Sequence, residues 1–226
     1  MDESASRIAA YYDRHADTYD DAMDRDRRNV RVRRAFQALV ASTVPSGGTL
    51  LDFGCGTGVD AAWYASRGYS VIAYDNSTGM VARLTAKYAS EISTGSIVPV
   101  AFPFTDFPKT LPTVALDGVV ANFAVLNLVA DLSRLFDQFA GMVKPGGSLI
   151  ASVLNPFYWR DLLSRWWWRS YLAGRATGIL RVDGGDSVSY RYLLSTIVRA
   201  AGPGFVLTRR EGRASHFQFL VFRRVL

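Results

Sequence analysis

The chain has 226 residues, 49% hydrophobic and 20% charged, a size and composition that suit one domain with a core needing no disulfide or structural metal. A single cysteine, Cys55, excludes an internal disulfide framework and an all-cysteine zinc site, and two histidines, His15 and His216, argue against a histidine-rich metal centre. The formal charge of +6 is uneven: residues 1–156 carry 14 basic and 16 acidic side chains, whereas residues 157–226 carry 12 and 4, all twelve of them arginine.

The acidic start, Met1-Asp2-Glu3-Ser4, lacks the basic-then-apolar pattern of a signal peptide. The longest apolar run, residues 118–130, is shorter than the about 20 residues of a membrane span. A soluble, cytoplasmic protein is the expectation. Helical spacing predicts helices over residues 4–15 and 27–43, the second ended by Pro45-Ser46-Gly47-Gly48. Strands are expected at 49–53, 70–74, 97–102, 116–121 and 148–154, with helices at 57–67, 77–90 and 132–143 between them. The rhythm breaks over 155–187, a stretch rich in Trp, Arg and Gly. A helix at 188–201 and two strands, 205–211 and 216–223, joined by a hairpin-length turn, complete the reading. The sum is an α/β, Rossmann-like, doubly wound seven-stranded sheet. It has five parallel strands plus a terminal antiparallel hairpin, helices on both faces, and ligands expected at the strand C-terminal ends.

The most informative segment runs from the first strand into Gly54-Cys55-Gly56-Thr57-Gly58. Glycines allow the tight turn and close ligand approach, and the helix that follows offers free N–H groups to an acidic ligand group. A dinucleotide fingerprint needs Gly-x-Gly-x-x-Gly, but position 59 is Val, and no phosphate-loop motif is present. Cys55 has no partner base that would make it a nucleophile and reads as a packing residue.

With this loop, the sequence resembles the class I S-adenosylmethionine-dependent methyltransferases, in their small-molecule, quinone-biosynthesis-like branch. Asp52 to Gly58 looks like their first motif, and Asp75 with Met80 like the ribose-binding segment. Residues 119–127 look like the fourth-strand segment, residues 143–149 like the turn before the fifth strand, and residues 11–20 like the N-terminal lid. The resemblance implies a single domain: a helical lid (1–45), a cofactor-binding core (46–154), an acceptor-side insertion (155–187), and a terminal helix and hairpin (188–226). It implies S-adenosyl-L-methionine as cofactor, with Asp75 accepting from both ribose hydroxyls. Asp52, Gly54, Cys55, Gly56 and Gly58 would border the methionine part and ribose. Asn76 and Met80 would lie by the adenosine, Asn122 and Phe123 by the sulfonium, and Tyr11 and Tyr19 would cover the cofactor from the lid. The sequence departs from the family after the third strand, where an acidic residue for the adenine amine is common. Here the stretch reads Val100-Ala101-Phe102-Pro103-Phe104-Thr105-Asp106, with Asp106 displaced.

The expected reaction is methyl transfer to an O, C or N atom of a small, largely apolar acceptor, with orientation as the main catalytic factor. His15, the histidine in the lid, is the candidate base, with a helix-surface histidine as the plainer reading. Asn127 would orient the acceptor. Acceptor contacts are assigned to Tyr158, Trp159, Arg165, Trp166 and Trp167. The Trp/Arg-rich stretch has three readings: a cap over an apolar acceptor, which is preferred, a membrane-interface contact, or a core or homodimer contact. The arginine excess suggests an acceptor with an acidic group or an approach from a membrane surface rather than nucleic acid. Three other readings remain: an RNA methyltransferase, a non-catalytic module that keeps the cofactor pocket, and a nicotinamide-dependent oxidoreductase.

Overall fold

The computed structural model describes residues 3–109, 111, 114–174, 178–184 and 187–225. Three helices open the chain: α1 (Glu3–His15), α2 (Tyr19–Arg25) and α3 (Arg27–Thr43). Strand and helix then alternate through β1 (Thr49–Phe53), α4 (Val59–Ala65), β2 (Ser70–Asp75), α5 (Thr78–Lys87), α6 (Ala89–Ser93), β3 (Ile97–Ala101), β4 (Leu116–Ala121), α7 (Leu132–Met142) and β5 (Val143–Leu154). Two short helices, α8 (Trp159–Leu162) and α9 (Arg165–Gly174), lead to a hairpin of β6 (Ile179–Gly184) and β7 (Ser187–Tyr192). The chain ends with α10 (Leu194–Ala201), β8 (Phe205–Glu211) and β9 (Phe217–Arg224).

Seven strands form one sheet in the order β3-β2-β1-β4-β5-β9-β8. The first five are parallel, and β9 lies antiparallel between β5 and β8. Chain direction across the sheet reverses between β1 and β4, so the crevice where ligands bind in such sheets opens there. Alternation along β1 sends Leu51 and Phe53 into a core roofed by α7 and α10, with Phe107, Phe136 and Phe139. Leu50 enters the opposite core with Phe36, Leu39 and Val40 of α3 and Tyr64 of α4. Asp52 points to that second face, at the mouth of the crevice, and is buried.

Three differences from the sequence reading have local causes. The 188–201 helix is instead β7 followed by α10. Val188-Ser189-Tyr190-Arg191-Tyr192 alternates in a strand-like way and pairs with β6, so helix formation waits for Leu194. The 155–187 stretch holds α8, α9 and β6, the first strand of that hairpin. It is tied to the main sheet by Asn127, whose Nδ2 donates to the Tyr190 carbonyl (2.5 Å) while its Oδ1 accepts from the Leu154 N–H (3.0 Å). An Arg191–Asp161 ion pair ties β7 to α8. Finally, the 77–90 helix breaks at Tyr88 into α5 and α6. No helix among the described residues is long and apolar enough to cross a membrane.

Candidate active site

A cleft of about 730 Å³, open to solvent, lies over the C-terminal ends of β1, β2 and β4. Its floor is the glycine loop. Gly54, Gly56 and Gly58 have φ of +77°, +53° and +81°, a left-handed region costly to other residues. A Cβ on Gly54 would sit 2.6 Å from both Val125 methyl groups, and one on Gly58 2.5 Å from Leu84 Cγ. The loop is pinned to β2, since Gly54 and Cys55 both donate to the Tyr74 carbonyl (2.8 and 3.0 Å).

Asp75 closes the end of β2. Its Oδ2 accepts from the Gly56 N–H (2.8 Å) and its Oδ1 from the Ser77 N–H (2.9 Å). Each oxygen keeps a lone pair for a further donor. Burial pushes its carboxyl above the ordinary range, against those backbone donors. Asp52 and Asp60 are also buried and shifted upward by burial, Asp52 strongly so, and its Oδ2 has no hydrogen-bond partner. Asp60 is held at both oxygens: Oδ1 accepts from Gln37 Nε2 (2.7 Å) and Oδ2 from Asn122 Nδ2 (2.9 Å). Arg33 of α3 faces the cleft over the Phe123 ring, 5.3 Å from its centroid, with its buried Nε unpartnered. Asn122 holds the turn after β4, accepting from the Phe123 N–H (2.8 Å) and Ser152 Oγ (2.9 Å). Phe123 and Ala124 there have φ of +52° and +63°, backbone strain placed at the cleft wall.

The N-terminal helices cover the cleft and are latched to its floor. Asp13 of α1 accepts from Ser77 Oγ (2.6 Å) and the Gly79 N–H (2.8 Å). Asp20 of α2 accepts from Thr57 Oγ1 (2.5 Å) and Lys87 Nζ (2.6 Å), which outweigh burial and hold its carboxyl below the ordinary range. Tyr12 and Tyr19 line the cleft from above. Burial pushes the Tyr12 hydroxyl up to about 12 and that of Tyr19 further, so both remain protonated donors.

A family model described as a methyltransferase domain matches residues 23–178. The chain belongs to that methyltransferase family. A demethylmenaquinone methyltransferase from Thermobifida fusca is 32% identical over 151 residues, which are 66% of this chain and 62% of that protein. The matched span is thus less than two thirds of that relative's length. An S-adenosylmethionine-dependent methyltransferase of Mesorhizobium loti shares the fold with a TM-score of 0.64 at 21% identity, over 84% of this chain and 96% of that one. A 1,6-didemethyltoxoflavin-N1-methyltransferase from Burkholderia thailandensis, solved with S-adenosylhomocysteine, gives a TM-score of 0.69 at 14% identity, over 98% and 89%.

The residues present suit S-adenosylmethionine, the methyl donor of this family. Three carboxylates, one with an unpartnered oxygen, face a cleft that the ligand's ammonium and sulfonium would enter. The buried, unpartnered Arg33 Nε is available to its carboxylate. Of the residues singled out from sequence, Tyr19, Asp52, Gly54, Cys55, Gly56, Asp75, Asn76, Met80, Asn122 and Phe123 all line the cleft. Gly58 lies outside the lining and shapes the loop against Leu84. Tyr11 is turned out to solvent, packed on Tyr12 and His15, and Tyr12 takes the covering position. His15 is exposed at the end of α1, with Nδ1 at 2.7 Å from the Tyr11 carbonyl, and does not line the cleft. Asn127 is fully buried in its two backbone bonds and does not face the cleft either.

The acceptor-side residues divide. Tyr158 and Trp159 line a groove with Arg28 and Val32 of α3, His216 and Phe217. Phe217 meets the Phe123 ring edge-on at 5.9 Å, so this aromatic pair forms the wall between groove and cleft. Trp167 is buried: its indole N–H donates to the Pro156 carbonyl (2.7 Å) and its ring stacks on Tyr171, which makes it the anchor of the insertion. Arg165 borders a separate surface hollow with Arg169 and Arg181. The Trp166 side chain lies outside the described residues. Sequence reasoning missed Arg33, hidden among the arginines of 27–34, and Asp60, two residues beyond the glycine motif. His216, given no role in the sequence reading, borders the acceptor-side groove. There its imidazole is kept below its ordinary value by burial and then by the Arg191 charge.

Proposed function

We propose that this chain transfers a methyl group from S-adenosylmethionine to an O, C or N atom of a small, largely apolar, aromatic or lipid-like acceptor. The observation that carries this reading is Asp75, which faces the cleft with both carboxylate oxygens anchored to backbone donors at the end of β2. That arrangement leaves acceptor lone pairs in fixed directions for a vicinal diol. Arg33 would take the methionine carboxylate at the opposite end, and Asp52 would sit beside the ammonium.

When bound, the cofactor supplies a methyl group already activated on a sulfonium. The chain's own residues bind, orient and exclude water. The latches at Asp13 and Asp20 keep the lid over the cleft, and Tyr12 and Tyr19 present protonated hydroxyls to its interior. Phe123 and Phe217 would hold the acceptor's ring at the cleft wall. Orientation of this kind accounts for about 7–11 kcal/mol of a barrier in favourable cases. For an acceptor that must lose a proton, His216 is the histidine on the groove side. The names of the relatives, which act on demethylmenaquinone and didemethyltoxoflavin, support a ring-bearing small molecule.

The test is transfer of label from methyl-labelled S-adenosylmethionine to a panel of naphthoquinols, alkylphenols and nitrogen heterocycles. Labelled, solvent-extractable product that requires Phe123 and Phe217 is the expected result. Label in RNA with none in any small acceptor would contradict the reading and favour the RNA methyltransferase alternative.

A further inference from the structure

Eleven large apolar side chains are exposed among the described residues, and five of them fall between 157 and 172. The concentration is local and ordered. Trp159 (58% exposed) and Leu163 (78%) are four residues apart on α8 and its C-cap, and Trp168 (50%) and Leu172 (64%) are four apart on α9. The two pairs adjoin, because the Trp168 indole N–H donates to the Leu162 carbonyl (2.9 Å). Trp167 and Tyr171, about 100° round α9 from Trp168 and Leu172, stack against each other and fix the helix to the body; the Trp168 ring sits edge-on to Trp167 (4.8 Å), and the Trp168–Leu172 side stays exposed.

The exposed charged side chains of α8 and α9 are all arginines. Arg160, Arg165 and Arg169 are exposed beside it, with the Arg160 guanidinium over the Trp159 ring at 5.4 Å. Between residues 157 and 181 the sequence has five arginines and one acid, Asp161. That carboxylate is taken by Arg191 of β7, on the inner side. No carboxylate among the described residues pairs with Arg165 or Arg169, and both border a hollow with Arg181. Indole and leucine side chains flanked by uncompensated arginines match the chemistry of a bilayer interface, where rings sit at headgroup level and guanidinium groups meet lipid phosphates.

We infer that the outer face of α8 and α9, built on Trp159, Leu163, Trp168 and Leu172 with Arg160, Arg165 and Arg169, docks the protein on an anionic membrane surface. The docked face adjoins the acceptor-side groove, because Trp159 belongs to both. Docking asks nothing of methyl transfer, so its failure and the failure of the proposed function are distinguishable.

The experiment is flotation of the full chain with phosphatidylcholine vesicles, with and without about one third phosphatidylglycerol, at low and high salt. Binding to the anionic vesicles only, weakened by salt and accompanied by a blue shift of tryptophan emission, is expected. Arg165→Gln with Arg169→Gln should weaken partitioning about tenfold to thirtyfold. Trp168→Ser with Leu172→Ser should weaken binding and shrink the blue shift, of which Trp159 keeps a share, and the arginine variant should keep the wild-type thermal midpoint. Four results would overturn the inference: no vesicle binding, equal binding to neutral vesicles, an RNA oligonucleotide that binds this face and is not displaced by vesicles, or a dimer in light scattering that Leu163→Ser with Leu172→Ser makes monomeric.

Discussion

Arg33 Nε and Asp60 Oδ1 stand 3.7 Å apart at the inner end of the cleft, close enough to attract but too far to hydrogen bond. Asp60 Oδ1 already accepts from Gln37 and the Arg33 Nη1 is paired with Asp24 (3.2 Å), so it is the buried Nε, without a hydrogen bond, that is left for a ligand. Arg33→Gln should therefore weaken S-adenosylhomocysteine binding by about tenfold to a hundredfold, the range of a charge-assisted hydrogen bond. Methylthioadenosine, which lacks the amino-acid part, should bind the variant and the wild type alike. Equal losses for both ligands would show that Arg33 acts only through the fold.

The buried carboxyls predict a pH dependence. Asp52, Asp60 and Asp75 are all raised by burial. A carboxyl raised above its unfolded value takes up its proton first in the folded state. The stability it contributes is fully present below the unfolded value and is lost as pH rises through the folded one. The cofactor-free protein should thus gain thermal stability as pH falls from neutral toward the ordinary carboxylate range. Below that range, Asp20 and Asp117, held low by Lys87 and Lys144 against burial, should reverse the trend. A cationic ligand beside these carboxyls should pull their values down and release protons. Calorimetry on the acid side of neutrality, in buffers of different ionisation enthalpy, should show that release, with less of it in Asp52→Asn. Proton uptake would contradict this electrostatic account.

The lid latch has a kinetic signature. Asp20→Asn keeps an oxygen for Thr57 but loses the Lys87 ion pair, and Asp20→Ala loses both. Cofactor release should quicken from wild type to Asn to Ala, measured by stopped-flow displacement. Identical release rates would mean that α2 does not gate the cleft.

Gly54 separates two costs. Gly54→Ala should lower the thermal midpoint through both left-handed backbone strain, about 1–2 kcal/mol, and the clash with Val125. Adding Val125→Ala removes the methyl groups that collide and should recover only the clash. Full recovery would show that the φ of +77° costs little here.

Much of this was legible in the sequence, for identifiable reasons. β1 and β2 are buried apolar runs, the first leading into a glycine and the second ending in a carboxylate, so β1 with its loop and β2 with Asp75 could be placed from pattern alone. Ten of the twelve residues expected around the cofactor line one cleft. What escaped depended on long-range packing. Arg33 looks like its arginine neighbours until α3 docks against α4 and β5 and sets its guanidinium over Phe123. Asn127 looks like a polar group awaiting a ligand until β7 supplies its carbonyl partner. Tyr11 and Tyr12 differ only in the rotation of α1, which the latch at Asp13 fixes. In the 155–187 stretch, repeated tryptophans hid two fates: Trp167 in the interior and Trp168 at the surface.

The central claim is that Asp75 and Arg33 bracket a cofactor in the cleft. Isothermal titration of the wild type and of Asp75→Ala with S-adenosylhomocysteine tests it most directly. One saturable site that S-adenosylmethionine competes for, lost or weakened by at least a hundredfold in Asp75→Ala, is the predicted result. No binding by the wild type, or unchanged binding by Asp75→Ala, would contradict it.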